Sequence, residues 1–150
     1  SGVFGQFYNW NEALVACPKG WRLPSDDDWI AMSSKFSTSS QKYGEIKNAS
    51  GRLMENIHFN YERMWTFERY VSIDNRARLS LIPSGFASSY EGVLDFKHYT
   101  NYAALWTSDS NGDTGGFRYI HRESDDVHFG FFDKEEFYLP VRCIRESTEN

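Results

Sequence analysis

The sequence is poor in the residues that mark several common classes of protein. It holds two cysteines and four prolines in 150 residues, and no CxxC pair. A cysteine-based zinc site would need other ligands, and a disulfide-dense scaffold is excluded. No apolar run approaches the ~18–20 residues that a membrane-crossing helix needs. Positive charge is in deficit: 16 Lys and Arg stand against 21 Asp and Glu, for a net charge of −5. That balance excludes a global basic field for nucleic acid and a polybasic membrane anchor. Gly-x-Ser-x-Gly, P-loop and Gly-x-Gly-x-x-Gly patterns are all missing. So is a secretory leader, although a chain that opens Ser-Gly gives that absence no weight. Cys17 and Cys143 sit near opposite ends of the chain. Their number alone fits two free thiols in a cytosolic protein or one bridge in an exported one.

Aromatic residues are what the chain has in quantity: 12 Phe, 9 Tyr and 5 Trp make up 17% of it. They supply the core volume that eight Leu, seven Ile and six Val leave short. The length is that of one domain, 1–150. Residues 3–8 read as a strand. Trp10, Ala13, Leu14 and Cys17 then fall at i, i+3, i+4, i+7, one face of a short helix that Pro18 and Gly20 end. Ser25 is a good N-cap, and Asp26, Asp27 and Asp28 complement the helix dipole behind it. With Trp29, Met32, Ser33 and Phe36 they predict a helix over about 26–36. Trp10, Trp21, Trp29 and Phe36 are expected in the core. A helical turn is expected at 52–57. From 65 onward strand-like segments alternate with Gly, Asn, Asp and Ser clusters, at 65–73, 78–86, 104–109, 116–123, 126–133 and 137–146. The order is that of an α+β domain in which the N- and C-terminal strands can pair.

The chemistry-bearing residues do not form a known catalytic pattern. His58, His98, His121 and His128 make no zinc-ligand spacing, although His121 and His128 can meet across neighbouring strands. Asp109, Asn111 and Asp113 place oxygens as a cation loop would, but Asn111-Gly112 reads first as a polar turn between strands. No metal or cofactor is expected. In 116–123, Phe117, Tyr119 and His121 share one face and Arg118, Ile120 and Arg122 the other, so one face should be core and one solvent. Rings beside Asn, Asp and Arg side chains suit sugar binding, suit a protein hot spot equally, and also suit ordinary cross-strand pairing.

Four blocks carry a resemblance: YNWNEALVACPKGWRLPSDDDW at 8–29, IPSGF at 82–86, LWTSD at 105–109 and PVRCIRE at 140–146. In this order and spacing they resemble the Fibrobacter succinogenes major paralogous domain family. WRLPSDDDW and LWTSD also resemble segments of formylglycine-generating sulfatase-modifying enzymes. The resemblance implies a C-type-lectin-like fold: two short N-terminal helices on a small, mainly antiparallel sheet, a long-loop region, and termini close together. It implies a disulfide from the first helix to the last strand, which Cys17 and Cys143 match. It implies an exported or surface-attached bacterial protein, often a lipoprotein anchored through a segment beyond this sequence. The calcium-lectin tripeptides Glu-Pro-Asn, Gln-Pro-Asp and Trp-Asn-Asp are absent. The oxidase chemistry of the sulfatase-modifying enzymes needs a reactive cysteine pair that a Cys17–Cys143 bridge would consume. The expected function is therefore a non-enzymatic binding or adhesion module for a glycan or a protein. A structural subunit of a surface assembly such as a fimbria is the alternative, and a divergent enzyme (a glycan hydrolase or an oxidase of the formylglycine-generating type) is the third. The resemblance places the ligand surface in the long-loop half. There the expected contacts are Tyr90, Tyr99, Tyr102, Asp109, Asn111, Asp113, Arg118 and Tyr119.

Overall fold

The computed structural model describes residues 6–54, 58–59, 62–63, 65, 81–97 and 101–146. Three short helices and twelve strands follow one another: α1 (Trp10–Leu14), β1 (Trp21–Arg22), α2 (Asp26–Ser33), β2 (Ser39–Ser40), β3 (Ile46–Lys47), α3 (Ser50–Leu53), β4 (His58–Phe59), β5 (Glu62–Arg63), β6 (Phe86–Tyr90), β7 (Val93–Lys97), β8 (Tyr102–Asn111), β9 (Thr114–His121), β10 (His128–Asp133), β11 (Phe137–Tyr138) and β12 (Ile144–Arg145). The fold is α+β and rich in antiparallel sheet. Among the described residues there are, instead of one small sheet, two of three strands, β10-β9-β8 and β11-β6-β7, and three two-stranded ribbons. The strand expected at 3–8 is described only at its end, where Tyr8 bridges Leu139. The segment 65–80 lies outside the described residues except for Trp65.

Both leading helices start where local chemistry starts them. Asn9 and Glu12 form a capping box at α1, and Ser25 and Asp28 form one at α2. Helix α2 stops at Ser33, short of the expected 36, and Phe36 packs on the core from the turn that follows. On α1, Trp10 and Ala13 are buried, but Leu14 is 44% exposed. The helix is too short to roll all four apolar positions inward. Trp21 also departs from expectation: it sits on the two-stranded ribbon β1–β12, 40% exposed, with the Arg145 guanidinium over its ring. A ribbon of two strands has no second layer to cover that face.

The β10-β9-β8 sheet divides the core in two. Ala103, Leu105, Ile120 and Val127 face a cluster with Trp29, Ile46, Leu53, Met54 and Trp65. Ala104, Trp106 and Phe117 face a second cluster with Trp10, Leu23 and Leu139. Strand β8 is therefore buried on both faces, and its ALW run lacks the polar alternation of a half-exposed strand. Strands β8 and β9 slip register between Trp106 and Ser110, a bulge on β8. The bulge is an anchor point. The Thr107 carbonyl accepts the Trp10 indole N–H at 2.9 Å, the Ser108 N–H donates to Pro24, and the Asp109 carboxylate accepts the Asp26 N–H at 2.7 Å. Opposite it, a Cβ on Gly115 would overlap the Trp10 ring, so only glycine lets α1 pack this closely.

The chain ends are drawn together by the Tyr8–Leu139 bridge, by β1–β12, and by a Cys17–Cys143 disulfide with its Cα atoms 5.8 Å apart. The bridge implied by the family resemblance is present.

Candidate functional site

The face of the β10-β9-β8 sheet that carries Phe117, Tyr119 and His121 is an aromatic strip. Cross-strand register sets Tyr102 opposite His121, His128 opposite Tyr119, and Gly130 opposite Phe117. Their rings follow one another at short range. Tyr102 and His121 lie 5.2 Å apart, His121 and His128 stack at 5.0 Å, Tyr119 and His128 at 5.1 Å, and Phe117 and Phe132 at 4.0 Å. Phe86 of β6 leans over Phe132 at 5.2 Å. Between the two three-stranded sheets this leaves a groove of about 270 Å³, lined by Phe86, Tyr102, Ala104, Phe117, Tyr119, Gly130, Phe131 and Phe132. Gly130 keeps it open, because a Cβ there would press to 2.8 Å from the Phe117 ring.

The surroundings of the strip disfavour charge on its two imidazoles. Burial pushes the His121 imidazole below its ordinary pKa, and the neighbouring His128 pushes it further. Burial does the same to His128, against the weaker upward pull of Glu45 and Asp126. Burial also raises the Tyr119 phenol. The Tyr119 hydroxyl has no hydrogen-bond partner among the described residues.

These directions predict a pH effect on stability. A histidine held neutral by folding contributes stability that is complete above its unfolded pKa, about 6.5. That contribution is lost as pH falls through the lower folded value. Proton NMR titration should give both imidazoles midpoints below that of a free histidine. Urea unfolding should show stability falling from pH 7.5 to 5.5, less steeply in His128→Phe. Ordinary midpoints for both rings would contradict the burial argument.

The residues expected at the site separate into groups. Tyr102 and Tyr119 come together in the groove, with ring centroids 6.0 Å apart. Tyr90 stands at the tip of the β6–β7 hairpin, 76% exposed and outside the groove. Tyr99 lies outside the described residues. Asp109 is engaged: one oxygen accepts the Asp26 N–H and the other accepts the Tyr43 hydroxyl at 3.0 Å. Asn111 and Asp113 belong to the β8–β9 turn, where Gly112, not Asn111, takes the positive φ of +58°. Among the described residues no three His, Cys, Asp or Glu side chains converge as a metal site.

Arg118 requires a correction. It was expected near the ligand surface, but its side chain is fully buried on the opposite face of β9. Its guanidinium grips the buried Asp26 carboxylate through Nε at 2.6 Å and Nη2 at 2.9 Å. The carbonyls of Gly44, Gln41 and Val127 accept its remaining N–H groups. A buried counter-ion and a ring of carbonyls remove any need to reach solvent, so this face of β9 belongs to the core. Sequence reasoning assigned Asp26 only to the helix N-terminus. It also missed Phe86 and Phe132, which reach the groove through pairings far apart in the chain.

The model of the Fibrobacter succinogenes major domain matches residues 1–145. The chain belongs to this family. No curated protein and no solved structure matches it. In this Fibrobacter succinogenes major domain, the 8–29 block that carries the resemblance builds α1, β1 and the start of α2. The 140–146 block holds the partner cysteine and β12. The family blocks thus form the closed end of the domain. In the groove, only Phe86 belongs to one of them, the block at 82–86.

Proposed function

We propose that this domain is a non-enzymatic binding module of an exported or cell-surface protein, and that its aromatic groove takes the ring of a neutral sugar. One observation carries the reading: an open groove of aromatic rings contains a half-buried phenol, Tyr119, whose hydroxyl has no partner among the described residues. Flat rings suit the apolar CH face of a pyranose, and the hydroxyl suits its polar edge. The volume of about 270 Å³ falls just below the roughly 300–1,000 Å³ of small-ligand clefts, the scale of one small ring. A charged ligand would find no counter-charge in the lining. The non-enzymatic part is supported by the cysteines: both are committed to the bridge, which leaves thiol-dependent oxidation without a nucleophile. The finer fold we propose is C-type-lectin-like, supported by the bridge from the turn after α1 to the residue before the last strand and by the paired chain ends.

A glycan array with the purified domain, run in calcium and in EDTA, tests the reading. Binding is expected in both. Tyr102→Ala and Tyr119→Ala should each weaken it about tenfold, equivalent to ~1.4 kcal/mol, while Tyr90→Ala leaves it unchanged. Binding lost in EDTA would point instead to a cation. A blank array with concentration-dependent self-association would favour an assembly subunit. For that role the exposed Tyr90, Val93, Leu94 and Phe96 of the β6–β7 hairpin are the specific supporting feature.

A further inference from the structure

On the opposite face of β10 a second group of rings meets solvent. Tyr43 lies 5.0 Å from Phe129, Phe129 meets Phe131 edge-on at 5.0 Å, and Tyr43 and Phe131 are 6.3 Å apart. Tyr43 is 48% and Phe131 40% exposed. Tyr43 has a backbone φ of +59°, the left-handed region where glycine is the default and a bulky residue is an outlier. It is held there from two sides. Its N–H donates to Asp26 at 2.8 Å, and its hydroxyl donates to Asp109 at 3.0 Å. Asp26 is in turn locked by Arg118, whose guanidinium lies 5.1 Å from the Phe129 ring. An exposed ring is thus fixed in a costly conformation by one buried and one half-buried carboxylate, which is the pattern of a preorganised contact rather than of a loop side chain. At its edge stand the Lys42 ammonium and the exposed Asp27 carboxylate, 3.2 Å apart. The Phe131 ring stands on this face, and the residue also borders the groove, where β10 is the edge strand of its sheet.

We propose that Tyr43 and Phe131 form an outer subsite continuous with the groove, so that the ligand is an oligosaccharide chain crossing the edge of β10 rather than a single sugar. This rests on the groove reading above. One sugar ring occupies the groove beside Tyr102 and Tyr119. A following ring lies on Tyr43 and Phe131, and its hydroxyls meet Lys42 and Asp27. The continuity through Phe131 favours one extended ligand over two independent ones.

The test is calorimetric titration with β-1,4-linked glucose oligomers, from glucose to the hexaose, whose equatorial hydroxyls leave the most continuous CH faces. Wild-type affinity should rise with chain length and then level off. Tyr43→Gly removes the ring and accepts the backbone angle. It should weaken the longest oligomer about tenfold and the shortest bound one less than twofold, whereas Tyr102→Ala should weaken every length. Tyr43→Phe, which keeps the ring, should retain the gain with length. Wild-type affinity independent of length would overturn the outer subsite. So would a Tyr43→Gly protein that keeps the gain, with the groove reading left standing if Tyr102→Ala still weakens all lengths. No binding of any oligomer, or binding indifferent to Tyr102→Ala, would overturn the groove reading and the subsite together.

Discussion

Arg118→Met should lower the unfolding free energy by about 3–5 kcal/mol, because it leaves the Asp26 carboxylate buried without its counter-ion. Both side chains are fully excluded from solvent. A methionine fills much of the arginine's volume, so the loss is electrostatic more than steric. Asp26→Asn should cost a similar amount by leaving the guanidinium unpaired. The consequence reaches well beyond the pair. Arg118 sits on β9, Asp26 opens α2, and the carbonyls that complete the shell come from Gln41 and Gly44 in the loop and Val127 beside β10. The same carboxylate holds the Tyr43 N–H. Removing the arginine therefore loosens the α2 N-terminus and the 41–44 loop together. Stabilities of ~5–15 kcal/mol are usual for a domain, so such a loss would leave a marginal fold. Equilibrium urea unfolding measures it. The double variant Asp26→Leu with Arg118→Met should recover a large part of the loss, since an apolar pair removes the stranded charge as well as the attraction. A single Arg118→Met protein as stable as wild type would mean that water reaches Asp26 in solution.

What the sequence revealed and what it concealed divide by distance along the chain. Helix α2 was legible because Ser25, Asp28 and Trp29 are close neighbours whose roles are local: a capping box and an apolar face. The β8–β9 turn was legible for the same reason, from Asn111-Gly112 between two strand-like runs. Asp26 was read as one of three dipole-complementing acids, and locally nothing sets it apart from Asp27 and Asp28. Its partner is 92 residues away. Only the folded chain separates the three. Asp26 is buried on Arg118, Asp28 is held at a pKa of about 2 chiefly by its hydrogen bond to Arg22, and Asp27 stays in solvent beside Lys42. The aromatic strip was half legible. Period-two alternation put Phe117, Tyr119 and His121 on one face, and neighbouring strands allowed His121 to meet His128. Which face would be open was undetermined, because it depends on where β6 lands. Tyr43 carried no signal at all, since neither composition nor periodicity marks a left-handed tyrosine.

Replacing Cys17 and Cys143 together by serine should cost about as much as losing the ion pair, by a different route. The bridge spans 126 residues of separation, nearly the whole chain. On the chain-entropy model a loop of that length restricts the unfolded ensemble by about 5 kcal/mol, and measured losses for native bridges run about 2–5. Native contacts near the bridge make the upper part of that range reasonable. The β1–β12 ribbon beside it is two residue pairs long, and the Tyr8–Leu139 pairing is an isolated bridge. Neither ribbon nor isolated pairing is stable unaided. Both depend on the ends being held near each other, which is what the covalent link supplies. The double serine variant should therefore unfold at lower urea, with hydrogen exchange first gained at Tyr8, Leu139 and β12. The β8–β9 hairpin, closed by its own two-residue turn, should keep its protection longest. Reductant should reproduce the variant in wild type, and thiol titration of the denatured, unreduced protein should find none. Two free thiols would remove the bridge, and with it the chemical support for an exported protein. Equal stability with and without reductant would instead mean that the closed end is held by the packing of Trp10 and Trp106 alone.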